Sequence, residues 1–167
     1  MLFRLRHLRF LPTPLALCLL DYTLTLHGQP AAYWGGDSAA VTELSPETRR
    51  LLANGVLASA AGLALWIAVV TGLLLLLPRP AALFVAVGVT IGHTVGATTW
   101  LWNWPTGGYQ AGLWLCLAAA LGLVTTILWD ERTRLAADAE SDCWTWVRWL
   151  LITLLAGVPV YAFLWPH

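Results

Sequence analysis

The chain has 167 residues, 59% of them hydrophobic and only 11% charged, with a formal net charge of zero. Soluble domains carry roughly 25% charged residues, so this deficit excludes an ordinary water-facing surface and points to one that faces lipid. Zero net charge gives the chain as a whole no electrostatic basis for binding nucleic acid.

The N-terminus begins with Arg4, Arg6 and Arg9 ahead of an apolar run, as a signal peptide does. Pro12, Pro14 and Asp21 interrupt that run, and Gln29-Pro30-Ala31-Ala32 is a poor cleavage site. It is read as a retained first helix over about residues 10–26. Four further apolar blocks follow, at about residues 54–77, 81–102, 111–129 and 146–165, each near the ~20 residues needed to cross ~30 Å of hydrocarbon. The Pro78-Arg79-Pro80 turn separates the second from the third. Strand-like alternation is absent, and helices satisfy their own backbone groups in lipid. The expected fold is therefore all-α: one membrane domain, residues 1–167, built as a bundle of five transmembrane helices. Residues 27–53 form an outer loop and residues 130–145 an inner connector.

Arginine sets the expected orientation, because cytoplasmic loops carry the positive excess. With the N-terminus inside and the C-terminus outside, the inner side holds Arg4, Arg6, Arg9, Arg79, Arg132, Arg134 and Arg148, and the outer side Arg49 and Arg50. Tryptophan marks the same boundaries: Trp100, Trp102 and Trp104 close the third segment and Trp129 the fourth, while Trp144, Trp146 and Trp149 open the fifth and Trp165 ends it. Indole rings settle at headgroup depth, where an apolar body and one N–H donor both find partners.

In the outer loop, Ser45-Pro46-Glu47 reads as a helix start, with Ser at the N-cap, Pro first in the helix and Glu in its first turn. The second helix is expected to begin there and to project from the membrane before entering it. Residues 130–142 carry mixed charge and read as a solvated helical connector. Gly88, Gly92 and Gly96 recur at four-residue spacing on the third segment, a helix-packing stripe, with Gly55, Ser59 and Gly62 a weaker one on the second. Cys18, Cys116 and Cys143 stand at no short spacing and read as small apolar fillers.

Ionisable side chains within the bilayer cost ~2.5–3.5 kcal/mol at its centre, so they mark candidate sites. Asp21 and His93 lie at depths that agree within about one helical turn. They read either as an interhelical tie or as a proton-handling or ligand-coordinating pair. Thr25, Thr90 and Thr94 are candidates to complete a polar pocket, with Glu43, Asp37, His27, Tyr33 and Trp34 of the outer loop above it. A metal site needs three or more convergent ligands, and Asp21, Glu43 and His93 are the one candidate set. No hydrolase or metalloprotease motif is present, and His93 lacks a second His at bundle depth for haem, so no cofactor is assigned.

Asp21-Tyr22-x-x-Thr25, Gly28-Gln29-Pro30, Tyr33-Trp34 and Glu43-x-Ser45-Pro46 together resemble small multi-pass bacterial membrane proteins of unassigned activity. Those proteins carry an intramembrane Asp followed by a Glu-x-Asn-Pro loop; Ser45 replaces that Asn here. The resemblance covers about residues 21–46 and implies that Asp21 and Glu43 act together, in a bacterial cytoplasmic membrane. It supplies no mechanism. The leading expectation is a structural or accessory subunit in contact with lipids and other membrane subunits. The alternatives are a small membrane enzyme or a cofactor- or metal-binding protein built on Asp21, His93 and Glu43, and a transporter or channel component.

Overall fold

The computed structural model describes residues 8–103 and 107–135, and every regular element among them is helical. A 3-10 turn at Leu8–Phe10 leads into α1 (Pro12–His27). The short α2 (Ala31–Trp34) and a second 3-10 turn at Ser38–Ala40 follow, then α3 (Pro46–Ala53). Three long helices complete the described residues: α4 (Val56–Leu76), α5 (Arg79–Trp102) and α6 (Gly108–Leu135). The contacts divide the chain into two compact units, Met1–Thr126 and Ile127–His167. The first holds everything discussed below, and the second contributes the last turns of α6.

Among the described residues, the three long helices are the ones with the length and apolarity to cross a membrane, and the chain is a membrane protein on that ground. Even the shortest, α4 with 21 residues, reaches about 32 Å at 1.5 Å per residue. The expected first span falls short of this. Its helix has 16 residues, about 24 Å, because Pro12 and Pro14 confine the start and Gly28 closes the end. The expected fifth span, residues 146–165, lies outside the described residues, as do the C-terminal part of the connector, Cys143 and the tryptophans around them.

The outer loop also differs from expectation. Its helix start is placed as predicted: the Ser45 hydroxyl accepts from the Thr48 amide at 3.3 Å, with Pro46 first in the helix and Glu47 in its first turn. That helix does not run on into the membrane segment. It stops at Asn54, whose side-chain amide turns back onto the Arg50 carbonyl at 2.7 Å. Gly55 follows with φ +100°, a left-handed conformation natural to glycine. The chain therefore bends between α3 and α4 instead of continuing straight.

Within the first unit, α5 is the common neighbour: it packs most extensively against α1 and also against α4. Leu24, Ala97 and Leu101 form a buried cluster between α1 and α5, flanked by Trp100 and by Ala111 and Leu115 of α6. Small residues set these approaches, as they do where lipid removes the hydrophobic drive. A methyl group on Gly112 would lie 2.6 Å from Trp102 Nε1, and one on Gly122 would lie 2.9 Å from Thr13 Cγ2. The Thr13 and Thr126 hydroxyls meet beside that contact at 3.4 Å. Leu57, Leu65 and Leu76 of α4 and Trp114 and Leu121 of α6 are exposed, a surface suited to lipid.

The tightest such approach is at Gly28, where a methyl group would lie 2.2 Å from Trp100 Cε3. Gly28→Ala is expected to destabilise the fold by about 1–3 kcal/mol through overpacking, read as a lower midpoint of unfolding in detergent. Gly72→Ala, inside α4 with nothing within 4 Å among the described residues, should leave it unchanged or raise stability by up to ~1 kcal/mol.

Candidate functional site

Asp21 on α1 and His93 on α5 meet directly, with Asp21 Oδ2 2.8 Å from His93 Nδ1. Gly96, nearly one turn beyond His93, makes this possible. A methyl group there would lie 2.7 and 2.8 Å from the two carboxylate oxygens, so only glycine lets the carboxylate rest against α5. The other imidazole nitrogen is also engaged: Trp66 Nε1 on α4 donates to His93 Nε2 at 2.9 Å. An indole N–H has no acceptor capacity, so Nε2 must carry the lone pair. The remaining imidazole proton then sits on Nδ1 and is donated to Asp21. Three helices thus converge on one imidazole and fix its tautomer.

Asp21 and His93 are not sealed in; about a fifth of each side chain is exposed (18% and 22%). They border a cleft of about 1140 Å³ bounded by α1, α4, α5 and the segment from Val41 to Arg49. Gly88 and Gly92 line it, and nothing lies within 4 Å of a methyl group built on either. The expected glycine stripe therefore acts in two ways. Gly96 meets the Asp21 carboxylate, whereas among the described residues Gly88 and Gly92 bring no other helix close and leave a channel along α5.

The cleft has a composed roof. The Gln29 side chain is buried and straps the loop to the end of α1: its amide donates to the Thr25 and Thr42 carbonyls at 2.9 Å each, and its carbonyl accepts from the Thr42 amide at 3.0 Å. The Tyr33 hydroxyl donates to the Leu52 carbonyl at 3.2 Å, holding α2 to α3. The Ser59 hydroxyl donates to that of Tyr22 at 3.1 Å, joining α4 to α1. Arg49 Nε donates to the Glu43 carbonyl at 2.8 Å.

The predicted residues therefore separate. Asp21 and His93 come together as their depths implied, and Thr25 lines the cleft. Thr90 and Thr94 do not line it. They are buried elsewhere on α5, where the Thr94 hydroxyl donates to the Thr90 carbonyl at 2.7 Å. Glu43 borders the cleft, but its carboxylate accepts from the Ser45 amide at 2.9 Å and shapes the turn into α3. Asp21, Glu43 and His93 accordingly form no metal-ligand set: among the described residues, no three His, Cys, Asp or Glu side chains are placed to hold an ion. Asp37 caps the turn at Ser38–Ala40 through the Ala39 amide at 3.0 Å, and neither it nor His27, Tyr33 or Trp34 lines the cleft.

Two site residues escaped the sequence reading. Trp66 sits in the middle of the second apolar block, where nothing distinguishes it from a lipid-facing ring. Cys18, one turn before Asp21, is fully buried and borders the cleft beside His93. The i to i+3 spacing from Cys18 to Asp21 was the available signal, since it puts both on one helical face.

Gln29→Leu keeps the bulk of the strap and removes its three hydrogen bonds. Amide exchange is expected to rise by at least about tenfold at Thr42 and its neighbours, one lost bond being worth ~1 kcal/mol or more, with little change at the middle of α5. No protein-family model matches the chain, and neither a curated protein nor a solved structure matches it.

Proposed function

We propose that the protein is a bacterial inner-membrane protein that holds a small amphiphile in the cleft beside Asp21 and His93. The observation that carries this reading is that, among the described residues, nothing covers the floor at Gly88 and Gly92. From Gly88 to Asn103 the cleft follows α5 for about 22 Å at 1.5 Å per residue. Its lining changes along that path. Gly88, Val89 and Gly92 line one part, and Thr99, Asn103, Glu43 and Arg49, together with Leu63 and Trp100, the other, with Asp21 and His93 between them. A mostly apolar concavity with a few convergent polar groups is the usual form of a small-molecule site. An apolar chain along the glycines and a polar group at the Asp–His pair match that order.

The topology that accompanies this reading has five crossings with the N-terminus inside. Its support is the division of the nine arginines, seven inner and two outer. The polar end of the cleft then opens toward the outer face.

A second reading draws on the same glycines. Gly88 and Gly92 offer a neighbouring protein's helix the close approach that no helix among the described residues makes. The chain would then be an accessory subunit of a larger membrane complex. One experiment separates the two. Native mass spectrometry of protein extracted in mild detergent is expected to show a small-molecule adduct, reduced at least about tenfold in Gly92→Leu, whose side chain fills the channel. Unchanged adducts in Gly92→Leu, or no adduct in the unaltered protein, would overturn the amphiphile reading. Co-extraction of a stoichiometric protein, lost in Gly92→Leu, would establish the subunit reading in its place.

A further inference from the structure

If the cleft holds an amphiphile, the hydrogen bond between Trp66 and His93 determines which polar group that molecule carries. Both imidazole nitrogens are occupied, but unequally. Nδ1 faces Asp21, whose carboxylate is pressed against the α5 backbone at Gly96. Nε2 faces Trp66, and Trp66 is 43% exposed and itself lines the cleft. Nε2 is therefore the atom a ligand reaches, and the indole N–H is the group it would have to replace.

We infer that the ligand is a single-chain alcohol whose hydroxyl donates to His93 Nε2 in place of the Trp66 N–H. The inference rests on the amphiphile reading and sharpens it. Nε2 is an acceptor in the tautomer that Asp21 holds, so the incoming group must be a donor. A carboxylate headgroup has no proton to give and, like any anion, would meet the Asp21 charge. A quaternary ammonium has no proton to give either. A neutral hydroxyl matches the acceptor and loses less than an ion does on entering an apolar cleft. Gly88 and Gly92, on one face of one helix, provide a single track for its chain. With the hydroxyl seated, Asp21, His93 and the hydroxyl form a continuous hydrogen-bonded row in which Asp21 orients the imidazole from behind.

The test uses the full chain in lipid nanodiscs and a photoreactive long-chain alcohol whose crosslinks are mapped by mass spectrometry. Labelling is expected along Gly88 to Gly92. Dodecanol should compete for it, while dodecanoate and dodecyltrimethylammonium should compete at least about tenfold more weakly, a difference of ~1.4 kcal/mol. Trp66→Phe keeps a ring and removes the competing N–H. It should tighten dodecanol binding about two- to tenfold and leave the two charged probes unchanged. Labelling that is blocked equally by all three headgroups would overturn the alcohol inference while leaving the amphiphile reading standing. So would a Trp66→Phe protein that labels in the cleft with unaltered preference. No labelling of the cleft at all would overturn both.

Discussion

A carboxylate packed between apolar helices must find a partner or lose its charge, and much of this structure follows from how Asp21 is partnered. Taking such a charge out of water costs on the order of several kcal/mol. Interhelical side-chain hydrogen bonds in membranes average only ~0.6 kcal/mol and reach about 1.7. The bond to His93 is thus better understood as what makes Asp21 tolerable than as the main adhesive between α1 and α5. The adhesion comes from small residues, at Gly28 under Trp100 and at Ala97 beside Leu24 and Leu101. The bond in turn fixes the azimuth of both helices, and Gly96 is the residue that permits it.

Residues 21–46 read differently once their contacts are known. In sequence they suggested an Asp and a Glu acting as a pair. In the structure Asp21 binds His93, Tyr22 binds Ser59, Thr25 and Thr42 are joined through Gln29, and Glu43 with Ser45 shapes the start of α3. The block works as a frame around the cleft. Most of these residues hold the roof in place, and Asp21 supports the group that faces the interior.

What could be read from the sequence was what depends on local composition. Long apolar blocks gave α4 and α5 to within about two residues at each end and the middle of α6, which runs on to Leu135, and Ser45-Pro46 gave the start of α3, because span length and capping are encoded within a few residues. Equal depth on two segments gave the Asp21–His93 pair, since helical rise turns residue number into height. Helix azimuth was not encoded in this way. Thr90 and Thr94 share the depth of His93 but not its face toward the cleft, and Trp66 had no mark to separate it from rings facing lipid. The glycine stripe was visible as spacing, yet spacing does not say whether another helix fills it. The break at Asn54–Gly55 was hidden because one left-handed residue suffices to end a helix that hydropathy would continue.

Asp21 and Trp66 together hold His93 as the neutral imidazole with its proton on Nδ1. Nitrogen NMR of histidine-labelled protein tests it directly, with the His93 signals assigned by their loss in His93→Gln. The expected spectrum shows a protonated Nδ1 and an unprotonated, hydrogen-bonded Nε2, with the Nδ1 resonance displaced in Asp21→Asn and the Nε2 resonance displaced in Trp66→Phe. A proton on Nε2 with a bare Nδ1, or a spectrum indifferent to both substitutions, would contradict it.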